Sequence, residues 1–122
     1  MEKKKILVVD DEEKSSKLLE DYFLEKGYEV IIARDGQDAL DKTRDCNPHL
    51  IIMDIVLPRI NGWEACMQIK QDPRYDHIPV VMSSSLFEEY DQPKEYQAGD
   101  AYINKPVNLD HLLSIVKKSL NQ

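Results

Sequence analysis

The apolar residues of this chain fall into short unbroken runs, separated by longer stretches in which they recur every three or four positions. Ile6, Leu7, Val8 and Val9 form the first run and stop at Asp10 and Asp11. Residues 28–33, with Val30, Ile31 and Ile32, form the second. In the third, Leu50, Ile51, Ile52 and Met53 lead straight into Asp54, and Val56, Leu57, Pro58 and Gly62 follow. Val80, Val81 and Met82 come after Pro79 and run into Ser83, Ser84 and Ser85; residues 101–104 make a short fifth run that ends at Lys105-Pro106. Unbroken apolar runs bounded by breakers predict strands buried on both faces, as in parallel sheets.

The stretches between the runs read as helices. Residues 14–26 place Leu18, Leu19, Tyr22 and Phe23 on one face, closed by Gly27. Asp35-Gly36 turns the chain into a short helix over residues 38–46 that buries Ala39 and Leu40 and stops at Asn47-Pro48. Residues 62–71 carry Trp63, Cys66, Met67 and Ile69, and Asp72-Pro73 ends them. Asn108 or Asp110 caps a last helix whose Leu109, Leu112, Leu113, Val116 and Leu120 face inward. Residues 86–97 are the poorest helical stretch, with Glu88, Glu89 and Asp91 and with Pro93 inside. A proline there removes a hydrogen bond and clashes one turn back, so this helix is expected to be short, late-starting or mobile. Strand and helix in alternation predict an α/β fold with a doubly wound five-stranded parallel sheet. Its strand ends gather on one edge, where open α/β sheets hold their ligands.

Composition narrows the class. A chain of 122 residues suits one domain with one real core. Its net charge of −7 argues against nucleic-acid binding by the chain itself, since phosphate backbones call for a basic face. Lys3, Lys4 and Lys5 are too short a basic start to change that. No stretch approaches a membrane span, and the run after these lysines is too short for a signal peptide. The two cysteines, Cys46 and Cys66, fall in helical stretches without metal-ligand neighbours and are expected to be free thiols in a reducing cytoplasm. His49, His77 and His111 are scattered.

Candidate chemistry lies at the strand ends: Asp10 and Asp11 after the first run, Asp54 after the third, Ser84 after the fourth and Lys105 after the fifth. Taken singly, each has a plain reading: a solvated turn, a helix cap, a loop serine, a loop Lys-Pro pair. Parallel strands bring all five into one crevice. Three carboxylates at close range repel unless a cation sits among them. Such a set of oxygens suits Mg²⁺, with Mn²⁺ as a substitute. Lys105 would then hold one carboxylate and Ser84 would offer a hydroxyl. This is a layout for phosphoryl transfer to Asp54, whose carboxylate attacks phosphorus to give an acyl phosphate.

The segments ILVVDDEE, LIIMDIVLPRINGWE, IPVVMSSS and YINKPV resemble, in order and over nearly the whole length, the receiver domain of bacterial two-component response regulators, the CheY-like family. The resemblance implies a flavodoxin-like (βα)5 fold with strand order 2-1-3-4-5, and one receiver domain over residues 1–122 with its core in about residues 5–120. It implies Asp54 as phosphoacceptor, Asp11 as the main side-chain ligand of Mg²⁺, Asp10 supporting through water, and Asp54 and the backbone carbonyl of Val56 completing the protein ligands. Lys105 would pair with the phosphoryl group, Ser84 would be the switch hydroxyl and Tyr102 the switch aromatic, and the peptide before Pro106 would be cis. The donor would be a sensor histidine kinase or a histidine phosphotransferase. The receiver would take part in its own phosphorylation without turning over an outside substrate. A downstream protein or a separate output domain would read the result. The place of action would be the cytoplasm, without nucleic acid or membrane as a direct partner.

The sequence departs from the family pattern in places. Serine stands at 84 where threonine is commoner and at 85 where alanine is usual, and the stretch from Gly99 to Tyr102 is one residue shorter than the common pattern. With Pro93, this implies an altered fourth helix and following loop. Val56 and Leu86 are apolar at the positions that resemble those governing water's approach, which implies slow self-dephosphorylation. Other readings are a receiver-like module that binds a partner constitutively, a small Mg²⁺-dependent aspartyl phosphatase, and a flavodoxin-like electron carrier. Intact Asp10, Asp11, Asp54, Ser84 and Lys105 argue against the first. Val56, in the place of a second acid, argues against the second, and the acids after the first strand repel a flavin phosphate.

Overall fold

A computed structural model describes residues 3–84 and 99–122. The apolar runs form five strands, β1 (Lys5–Val9), β2 (Glu29–Ala33), β3 (Leu50–Asp54), β4 (Val80–Ser84) and β5 (Ala101–Asn104). All pair in parallel in the order β2-β1-β3-β4-β5. The stretches between them give α1 (Glu13–Glu25), α2 (Gly36–Cys46), α3 (Gly62–Gln71) and α4 (Leu109–Ser119). The helix expected over residues 86–97, with Leu86 in it, lies outside the described residues.

The sheet separates two apolar clusters, because alternate residues of a strand point to opposite faces. Leu7, Val9, Ile51, Met53, Val80 and Met82 join Ala39 of α2 and Ala65, Cys66 and Ile69 of α3 on one face. On the other, Ile6, Val8, Leu50, Ile52, Val81 and Ile103 pack with Leu19 and Phe23 of α1 and Leu112 and Val116 of α4. β1, β3 and β4 sit inside the sheet and are covered on both sides, which explains their unbroken apolar character.

Two helices begin earlier than expected. Asp35 does not turn the chain freely: its carboxylate accepts from the Asp38 amide at 2.7 Å and caps α2, so Gly36 is already helical. α1 starts at Glu13, one residue ahead of the apolar pattern. Its inward face is Ser16, Leu19 and Phe23; Leu18, expected on that face, is 58% exposed. Steps of three and then four from Ser16 reach Leu19 and Phe23 and leave Leu18 about 130° from the centre of that face. Asn108, one of the two proposed caps, accepts from the His111 amide at 3.0 Å. Among the described residues, no helix is long and apolar enough to cross a membrane.

Candidate functional site

The site grows from the C-terminal edge of the three central strands. Asp10 follows β1, and one of its carboxylate oxygens accepts from the Glu12 amide at 2.9 Å, fixing the turn into α1. Its Asp11 neighbour stays exposed while Asp10 is 2% exposed. Arg34, after β2, donates to the backbone carbonyl of Asp10 at 3.3 Å and to the Ser16 hydroxyl at 2.6 Å. It ties the first turn of α1 to the end of β1 and explains why a serine occupies the buried face of that helix. Asp54 ends β3 and is 7% exposed. One carboxylate oxygen from each of Asp10, Asp11 and Asp54 lies within 4.8 Å of the others.

Lys105 reaches this cluster from the loop after β5. Its Nζ lies 2.8 Å from Asp54 Oδ2 and 3.6 Å from Asp10 Oδ2. Its backbone amide donates to the Ser84 carbonyl at 3.2 Å, and the Lys105-Pro106 peptide is cis. Burial pushes the Asp54 carboxyl up to about 6, with the charge of Asp10 acting in the same direction; the hydrogen bonds from Lys105 and Ser83 oppose it. Burial disfavours the charged form of Lys105, but the Asp54 hydrogen bond and charge outweigh it and hold the ammonium above its ordinary value. Burial among apolar groups also pushes the Cys66 thiol up to about 12, which removes it from thiolate chemistry.

The structure thus brings together Asp10, Asp11, Asp54 and Lys105, as the strand-end pattern predicts. Ser84 is buried at the end of β4 and pairs in register with Asn104, while Ser83 pairs with Asp54. Alternation places Ser84 on the α2/α3 face with Tyr102, whose partner is Met82. The Tyr102 hydroxyl accepts from the Gly99 amide at 3.0 Å, and its ring packs on the cluster beneath α2 and α3. Val56, two residues after Asp54, is 62% exposed.

One residue of the site was missed. Ser83 Oγ donates to Asp54 Oδ1 at 2.7 Å, and both side chains are buried. The signal was available, since in-register residues of adjacent parallel strands point the same way. Gly62 was seen but its reason was not. A Cβ there would collide with the backbone oxygen of Asp54, and the Gly62 amide donates to the Ile55 carbonyl at 2.8 Å. The start of α3 is thus pressed against the backbone of Asp54.

A doubly wound sheet with an acidic cluster at the ends of its central strands, met by a lysine from the loop after the edge strand β5, is the architecture of a phosphoacceptor signalling module. Residues 6–117 match the model of the response regulator receiver domain, and the chain belongs to that family, whose setting is two-component signalling. Over 118 residues it is 36% identical to the polar-differentiation response regulator DivK of Brucella ovis, covering 96% of each chain. It is also similar to the response regulator TrrA of Thermotoga maritima, solved in complex with Mg²⁺-BeF, at 35% identity and a TM-score of 0.86, over 96% of this chain and 99% of that one. The Saccharomyces cerevisiae Ssk1 receiver domain, solved with the histidine phosphotransfer protein Ypd1, matches at 25% identity and a TM-score of 0.84, over 95% and 88% of the two chains.

Proposed function

We propose that Asp54 accepts a phosphoryl group from a phosphohistidine donor in an Mg²⁺-dependent reaction, and that the acyl phosphate switches binding of a partner. The observation that carries this is the Lys105–Asp54 contact of 2.8 Å inside a cluster of three convergent carboxylates. A carboxylate oxygen of Asp54 forms the new bond to phosphorus. The phosphorus–nitrogen bond of the donor breaks, its electron pair stays on the imidazole, and that nitrogen takes a proton from solvent. Lys105 is already in place to meet the oxygens of the transferring group, so little rearrangement is required.

The donor set fits a hard divalent cation, because it offers three carboxylate oxygens close together and no nitrogen or sulfur. Asp11, Asp10, Asp54 and the Val56 carbonyl would hold Mg²⁺ or Mn²⁺. When bound, the ion neutralises charge on the phosphoryl oxygens and relieves repulsion among the acids. Asp10 is held by the Glu12 amide and Asp54 by Ser83 and Lys105, so two of the ligands are oriented beforehand. Ser84 and Tyr102, on one face, are the elements that respond to the new charge. The chain turns over no outside substrate. It forms one receiver domain and acts in the cytoplasm. A groove of Leu18, Leu19, Pro106 and Val107 borders Lys105 and Glu12. It gives the kinase or phosphotransferase an apolar seat next to the acceptor.

Intact mass after incubation with acetyl phosphate tests the reading. The expected outcome is a gain of one phosphoryl group, about 80 Da, that disappears in chelator and in Asp54→Asn. A gain that survives Asp54→Asn would place the acceptor elsewhere. Binding of a partner with equal strength before and after phosphorylation would favour a constitutive module.

A further inference from the structure

We propose that Ser83 is a positioning residue that makes the phosphoryl group on Asp54 easier to give up. This rests on Asp54 being the acceptor. The Ser83 hydroxyl donates to Asp54 Oδ1 at 2.7 Å while Lys105 takes Oδ2 at 2.8 Å. Each carboxylate oxygen therefore has its own donor, and the plane of the nucleophile is set from two sides. The Ser83 bond is built into the sheet. Asp54 and Ser83 are register partners on β3 and β4, and the Ile55 amide donates to the Ser83 carbonyl at 3.0 Å.

The effect on reactivity follows from charge. A hydroxyl bonded to a carboxylate makes a charge-assisted hydrogen bond, stronger than one to a neutral acceptor. Once phosphorus is attached, the carboxyl carbon carries a neutral carbonyl oxygen and an ester-like bridging oxygen, both poorer acceptors than a carboxylate oxygen. The Ser83 bond therefore stabilises the free carboxylate more than the acyl phosphate. In hydrolysis, a water oxygen bonds to phosphorus and the bond from phosphorus to the Asp54 oxygen breaks. Its electron pair returns to the carboxylate, and the water gives its proton to solvent. Ser83 meets the charge that develops on the leaving carboxylate and lowers that barrier. Transfer onward to another nucleophile gains in the same way. The role that the family resemblance implies for Val56, which is exposed, concerns a different quantity, the access of water.

The test is the lifetime of the acyl phosphate on the full chain, followed by intact mass after removal of acetyl phosphate, with Mg²⁺ and again in chelator. Ser83→Ala should lengthen the lifetime about fivefold, the scale of a partly formed charge-assisted hydrogen bond. The lengthening should persist in chelator, since the hydroxyl bond needs no ion. Ser83→Thr should return the lifetime toward that of the unaltered chain. A serine that only supports packing would lower the melting temperature and slow phosphorylation while leaving the lifetime alone. That pattern, or a lengthening that Ser83→Thr does not reverse, would overturn the proposal. If the unaltered chain takes up no phosphoryl group at Asp54, both the acceptor assignment and this inference fall. Uptake at Asp54 with an unchanged lifetime in Ser83→Ala removes this inference alone.

Discussion

Asp54 carries a cost in the resting protein that Lys105 only partly offsets. Its carboxyl is raised to about 6 by burial, above the ordinary carboxylate value it has in the unfolded chain. A folded carboxyl with a raised value binds its proton more tightly than the unfolded one. Stability is therefore highest below the unfolded value and falls as pH climbs through the folded value. In chelator, the protein should lose on the order of 2 kcal/mol between pH 4 and pH 7 that Asp54→Asn does not lose. Urea unfolding of both proteins at the two pH values measures the difference; equal losses would show that Asp54 titrates normally. Lys105→Ala leaves the same carboxylate buried with one donor fewer. It should slow phosphorylation by acetyl phosphate at least tenfold, because an ammonium contact to the transferring oxygens disappears, and mass uptake against time reads this directly.

At the scale of elements, the strands were legible because parallel strands covered on both faces have to be apolar throughout. The ends of those strands were legible as chemistry because Asp10, Asp11, Asp54 and Lys105 interrupt that apolar character at positions the topology aligns. What escaped depended on pairing rather than on composition. Ser83 matters because of the strand beside it, and Ser16 is buried because Arg34, from beyond β2, takes its hydroxyl. The early start of α2 escaped because Asp35-Gly36 is also a common turn pair, and only the amide of Asp38 distinguishes a cap from a turn. Gly62 links these elements: a side chain there would have to push α3 off the backbone of Asp54. Gly62→Ala should cost about 3 kcal/mol, the upper part of the overpacking range, and should also slow phosphorylation. Chemical denaturation and mass uptake on the same variant separate the two effects.

For the whole molecule, an ion that binds only the folded acidic cluster adds to the stability of the entire domain. At one hundred times its dissociation constant, Mg²⁺ should raise unfolding free energy by about 2.7 kcal/mol. Asp11→Asn, at an exposed position, should remove most of that gain without destabilising the ion-free protein. Melting temperature against Mg²⁺ concentration provides the check. The groove beside Lys105 gives a separate prediction. Leu18 is exposed, so Leu18→Arg should leave folding and acetyl phosphate uptake unchanged while slowing transfer from a phosphohistidine protein about tenfold. Equal slowing with both donors would assign Leu18 to the fold instead.

The alternation along β3, β4 and β5 makes the sheet a partition with two tenants. Asp54 and Ser83 open toward α1 and α4, where the groove beside Lys105 lies; Ser84 and Tyr102 lean toward α2 and α3. On the proposed function, delivery and announcement would be lodged on opposite sides of one thin wall and meet at its rim. Residues facing α1 would then be open to exchange for a new sender without rewriting the message read on the far side, and the listener's side to rebuilding with the sender left undisturbed.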